Sequence, residues 1–165
     1  MLLRNLVKFL EHRGSWRMIN RRNAETGETE PYLKRYYIFA SSHFNILLHQ
    51  FWSSDPDDLH THPWNNITIL LKGGYKEYHI NGECDNRQPG FFTYRQADVF
   101  HRIALLDESK PGKTWSLFLH FKRLKKWGFL SGSKWIEAGE YGKMVDAPVL
   151  AHARRIIEQA DRSMT

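Results

Sequence analysis

Nine histidines stand in this chain of 165 residues, and two of them are separated by a single residue in His60-Thr61-His62. On an extended segment, side chains two residues apart point to the same side, so both imidazoles can approach one ion from one strand. Alone the pair is a weak signal, because two exposed histidines would satisfy it. Its weight comes from the residues downstream. Three residues separate His62 from Asn66, and six more separate Asn66 from Gly73. About sixteen residues later Gly90 opens a second stretch, which runs five residues to Gln96-Ala97-Asp98 and two more to His101.

This pattern resembles the two motif halves of the cupin superfamily. The first half reads His-x-His, three or four residues, Glu, six residues, Gly; the second reads Gly, five residues, Pro-x-Gly, two residues, His. His60, His62, Gly73, Gly90 and His101 match at the right spacings. The resemblance runs directly over Leu59 to Leu105, and the flanking strands extend it to about Phe39 to Phe121. Three positions depart from it: Asn66 stands for Glu, Gln96 for Pro and Asp98 for Gly. The first departure removes a carboxylate ligand and leaves a three-histidine set, so restoring a carboxylate at position 66 is expected to tighten metal binding. The other two change the turn before His101 and keep its spacing, since Asp tolerates left-handed backbone angles better than most residues.

The resemblance implies an all-β, RmlC-like jelly roll (a double-stranded β-helix) with short N-terminal and C-terminal helices, and a metal held by His60, His62 and His101. Among cupins, a three-histidine set without the Glu looks most like the thiol dioxygenases of the cysteine dioxygenase type. That implies an iron-dependent, dioxygenase-like enzyme acting on a small anionic thiol or carboxylate. Fe(2+) is the expected cofactor, with Zn, Ni or Mn as alternatives. Two other readings stay open. One is a sugar-nucleotide epimerase or isomerase in which histidine and tyrosine move protons; the other is a noncatalytic ligand-binding or assembly module.

Physical chemistry supports the trio independently. Two ligands from one strand and a third from another make a facial set that leaves the opposite positions open. Three neutral imidazoles leave the ion's charge unbalanced, which favours an anionic ligand and lowers the pKa of bound water. Strand parity puts Trp64, Asn66, Thr68 and Leu70 on the same side as the trio. Asn66, His49 and His120 are therefore candidates for the layer around the ligands. Tyr75 and Tyr94 are candidates to position substrate or oxygen, and Arg95 to grip a substrate carboxylate with two hydrogen bonds.

These residues must be carried by a scaffold that the rest of the chain supplies. The apolar spacing of Met1 to Arg13 predicts an amphipathic helix, and Arg13 to Pro31 an irregular connection with room for a hairpin. Strand-like runs come next at Tyr36–Phe39, Asn45–Trp52, Ile67–Leu71, Tyr75–Ile80, Phe91–Tyr94, Arg102–Leu105 and Trp115–Phe121. Turn signals separate them, with Asn81-Gly82 the strongest hairpin signal. Ala147 to Ser163 predicts a closing helix, which divides the chain into an arm at 1–35, a barrel at 36–140 and a helical tail at 141–165. Ile67, Ile69 and Leu71 face away from the trio and need cover, from the first helix or from a second copy, so a homodimer is expected.

Composition bounds the partners. Hydrophobic residues at 41% with 25% charged exclude a disordered or fibrous chain. A net charge of +6, with Lys122-Arg123-Leu124-Lys125-Lys126 as its densest cluster, admits nucleic acid as a partner without favouring it. The single cysteine, Cys84, forms no intrachain disulfide and suits a reducing compartment. No run approaches the roughly 18 apolar residues of a membrane helix, and Met1 to Leu10 lacks the features of a secretory signal, so a cytoplasmic protein without membrane contact is expected.

Overall fold

The computed structural model describes residues 2–22 and 27–142. It opens with helix α1 (Leu2–His12), followed by β1 (Trp16–Arg22), β2 (Thr29–Ala40), β3 (Phe44–Phe51), β4 (Leu59–His60), β5 (Asn66–Lys72) and β6 (Tyr75–His79). Then come β7 (Cys84–Arg87), β8 (Phe92–Arg95), β9 (His101–Leu105), β10 (Thr114–Phe121), β11 (Gly128–Ser131) and β12 (Lys134–Glu137). The strands form two six-stranded sheets, ordered β1-β2-β3-β10-β5-β8 and β12-β11-β4-β9-β6-β7. From β3 to β11 successive strands alternate between the sheets except at the β6–β7 hairpin, as in a jelly roll. The helix expected at Ala147–Ser163 lies outside the described residues.

Leu33, Phe51 and Leu70 from the first sheet meet Tyr75 and Leu105 from the second in a buried cluster between the two. Alternation does this work: along β5, Asn66, Thr68 and Leu70 are buried while Ile67, Ile69 and Leu71 face outward. The helix packs outside the first sheet. Its Leu3, Leu6, Val7 and Leu10, at helical spacing, lie on Tyr36, Leu48 and Trp115. Glu11 near its end accepts hydrogen bonds from Lys34 (2.6 Å) and Tyr36 (3.0 Å), fixing the helix to β2.

Within the helix and arm expected at 1–35, the helix forms and the connection after it takes the hairpin for which it had room. β1 and β2 pair as a long antiparallel hairpin, and residue 35 falls in the middle of β2. Ile19 stands opposite Leu33 and packs on the core cluster, so this hairpin extends one wall of the barrel. Asn81-Gly82 turns β6 into β7 as expected, with Gly82 at φ 83°. Gly73, at φ 75°, has a structural reason for being glycine: a Cβ there would collide with Thr114 on β10. Asp98 differs from expectation. No described residue other than glycine has positive φ, and the turn before His101 closes by Val99 N–H donating to Gln96 O at 3.3 Å.

Candidate metal centre

β4 is only two residues long, yet it sets the site. His60 pairs with His101 of β9 on one side and with Phe129 of β11 on the other, and His62 follows just past the strand end. The three imidazoles converge, with one ring nitrogen from each lying within 4.8 Å of the others. His62 Nε2 and His101 Nε2 are 2.9 Å apart. Trp127 and Phe129 pack edgewise or tilted against His60 and close that side.

Burial pushes His101 and His62 well below the ordinary imidazole range, reinforced for His101 by Arg95 and for His62 by the other two imidazoles. His60 is lowered too, mainly by burial, with Asp55 opposing the shift. All three are thus neutral at pH 7, the protonation state a metal requires of imidazole. Three convergent neutral nitrogens with no cation of their own are a donor set that fits a divalent ion.

Carboxylates stand behind the rings. Glu77 is fully buried, and its Oε1 lies 3.0 Å from His101 Nδ1. That contact lacks the alignment of a finished hydrogen bond, and Nδ1 has no other partner. Glu77 also accepts hydrogen bonds from Arg95 and, at 2.9 Å, from Arg87 Nε. Asp55 Oδ2 lies 3.9 Å from His60 Nδ1 and accepts the Ile103 N–H at 2.6 Å, while its other oxygen takes the Tyr32 hydroxyl.

The trio opens onto a cavity of about 450 Å³ inside the barrel. Tyr75, His49, Ser116 and Arg35 share its wall. The Tyr75 hydroxyl and Ser116 Oγ are buried without partners, so both are available to a ligand. Burial, aided by the nearby Glu77 carboxylate, raises the Tyr75 hydroxyl above its ordinary value and keeps it a donor.

No protein-family model matches the chain, and no curated protein matches it. Solved structures do. DMSP lyase DddQ from Ruegeria pomeroyi DSS-3 aligns over 67% of this chain and 57% of its own, at 18% identity and a TM-score of 0.50. HppE, in its FeII form, aligns over 66% of this chain and 57% of its own, at 11% identity and a TM-score of 0.50. An RmlC-like cupin from Shewanella frigidimarina NCIMB 400 aligns over 56% of this chain and 78% of its own, at 12% identity and a TM-score of 0.45. The chain has the cupin fold.

Within this fold, the residues singled out from sequence are placed unequally. His60, His62 and His101 come together, and Tyr75 and His49 line the same cavity. Tyr94 does not: it sits on the outer face of β8, about half exposed at 51%, because parity on that strand turns Arg95 inward. Arg95 lines the cavity, but its guanidinium is taken by Glu77 and, at 3.4 Å, by Asn66 Oδ1. A substrate carboxylate would have to displace Glu77 to reach it. Asn66 is fully buried and held by that arginine. His120 lies against Trp64, ring centroids 4.0 Å apart, beyond the cavity wall. The cluster Lys122–Lys126 is exposed.

Three residues escaped the sequence reading. Glu77 had a usable signal, since it lies two positions from Tyr75 and must share its face. Arg35 precedes the expected start of its strand by one residue. Asp55 sits in Asp55-Pro56-Asp57, a stretch whose composition marks a turn and hides a buried carboxylate.

Proposed function

We propose that this cupin is a metal-dependent enzyme acting on a small anionic substrate, with His60, His62 and His101 as ligands to a divalent ion, ferrous iron foremost. A bound ion supplies Lewis acidity and, as iron, redox chemistry with oxygen. The observation that carries the reading is Arg35. It lines the same cavity as the trio, and among the described residues no carboxylate pairs with it. A cavity-lining guanidinium without a counter-ion is a ready partner for a carboxylate or similar anion. Between trio and arginine lie Phe118 and His49, stacked with centroids 4.8 Å apart, which give the cavity a flat apolar wall. A volume of about 450 Å³ admits a small metabolite and excludes a polymer.

FeII HppE supplies one precedent for iron on this fold, and DddQ shows that the fold also serves lyase chemistry. The protonated Tyr75 hydroxyl suits a donor to substrate better than the base that a proton-abstracting isomerase needs. The test is anaerobic loading with ferrous iron, metal analysis, and oxygen-uptake assays over small thiols and carboxylates. Near-stoichiometric iron with substrate-dependent uptake is expected. Failure of the folded protein to retain any divalent ion would overturn the reading.

A further inference from the structure

The carboxylate that the motif lacks at position 66 has a counterpart elsewhere in the site. Glu77 on β6 is fully buried, and both of its oxygens are engaged. Oε2 accepts Arg87 Nε at 2.9 Å, while Oε1 takes Arg95 and faces His101 Nδ1 at 3.0 Å. Arg87 lies on β7 opposite Tyr75, and Arg95 closes the chain by donating to Asn66 Oδ1 at 3.4 Å. Held between two guanidiniums, the carboxylate is not free to swing toward the cavity and become a ligand itself. It is fixed behind a ligand.

We propose that Glu77 is the positioning residue of the metal centre. It holds His101 as the tautomer with the proton on Nδ1, so that the Nε2 lone pair faces the ion. The inference rests on the metal-binding reading given above. An imidazole presents a lone pair at only one nitrogen when neutral, and the hydrogen bond made by the other nitrogen decides which. Nδ1 of His101 has no other polar partner among the described residues, so Glu77 is the acceptor that makes this choice. His62 Nε2, 2.9 Å from His101 Nε2, marks the side on which the lone pairs must meet. A carboxylate behind the ring also raises the ligand's basicity, which returns some of the negative charge that Asn66 withholds. Asn66 is then not a vacant ligand position; it anchors the arginine that aims Glu77.

The alternative is that Glu77 only neutralises two arginines, a role that would affect folding and leave the metal untouched. Zinc titrated into the full-length apo-protein by calorimetry separates the two roles. Glu77→Gln should weaken zinc binding about 10- to 100-fold, the usual cost of losing such a partner. Arg87→Gln disturbs the same charge network but leaves Oε1 beside His101, and should change affinity less than about threefold on the same scale. Nitrogen-15 NMR of the zinc-loaded wild type, labelled at histidine, should show His101 with its proton on Nδ1 and zinc on Nε2. That measurement stands even if Glu77→Gln fails to fold. Ligation through Nδ1, or equal zinc affinity in folded Glu77→Gln, would overturn the inference and leave the metal reading standing. A wild type that binds no zinc, iron or other divalent ion would overturn both.

Discussion

Arg35 on β2 stands directly across from His49 on β3, and its Nε donates to His49 Nε2 at 3.2 Å. The acceptor is a neutral imidazole, kept so by burial first and by the arginine's own charge second. One guanidinium nitrogen is thereby spent on orientation. The two terminal nitrogens have no carboxylate partner among the described residues, with Tyr37 as the other polar neighbour. An arginine oriented by His49, with Tyr37 beside it and no carboxylate partner among the described residues, suits an anionic ligand.

Arg35→Lys keeps the charge and loses the fork, whereas Arg35→Ala loses both. We expect KM for an anionic substrate to rise in the order wild type, Lys, Ala, with Ala costing about 10- to 100-fold, the worth of a charged hydrogen bond. Metal affinity should be unaffected, because Arg35 touches none of the three ligands. Steady-state kinetics beside calorimetric metal titration checks this, and equal KM values across the series would remove Arg35 from substrate binding.

Removing a ligand should act on the ion itself. His62→Ala and His101→Ala are each expected to weaken metal binding by more than about 100-fold, beyond the range typical of a residue behind the ligands. Asn66→Asp should behave otherwise than its motif position suggests. Its carboxylate would meet Arg95, which already donates to Asn66 Oδ1 at 3.4 Å. The resulting ion pair should leave metal affinity within about threefold of wild type, against the much larger gain a new ligand would give. A marked tightening would show that the side chain reaches the ion after all.

The trio was legible because motif spacing and strand parity both point to it, and neither depends on knowing the turn geometry. The strands of the barrel wall were legible for the same reason: Asn45–Trp52 and Trp115–Phe121 are apolar runs between turn signals. β1, β7 and β12 were not, because all three are edge strands, and their sequences WRMINRR, CDNR and KWIE carry the charges that keep an edge from pairing with another chain. The buried ionic network was hidden differently. Arg95 read as a grip for substrate and Glu77 was not singled out, because their strands belong to different sheets and the two side chains meet only where the inner faces of those sheets turn toward each other.

The outer face of the first sheet carries two apolar rows, Leu48-Leu117-Ile69-Phe92 and Ile46-Leu119-Ile67-Tyr94, each running across β3, β10, β5 and β8. Helix α1 covers the Leu48 end, while Phe92 remains 60% exposed at the other. Apolar rows of this kind are a frequent basis for pairing two copies of a chain. We expect a dimer at micromolar concentration by light scattering, and Phe92→Lys to shift it toward monomer. A monomeric wild type would mean that these rows stay open to solvent.

The buried imidazoles also set how the apo-protein responds to acid. His49, His60, His62 and His101 all have folded-state pKa values lowered by burial. Well above pH about 6.5, the ordinary imidazole value, these groups are neutral in folded and unfolded chains alike and leave stability independent of pH. Below it the unfolded chain takes up protons that the folded one refuses, so stability falls as pH falls. If all four stay neutral in the fold, the slope reaches about 5 kcal/mol per pH unit, comparable to the whole stability of a small domain. Urea midpoints of the apo-protein should therefore be flat above about pH 7.5, begin to fall as pH approaches about 6.5, and drop steeply toward pH 5. A bound divalent ion competes with protons for the same nitrogens, so saturating zinc should move the onset of that drop to lower pH. Midpoints that stay level down to pH 5 without metal would show that the imidazoles titrate as freely in the fold as in the unfolded chain.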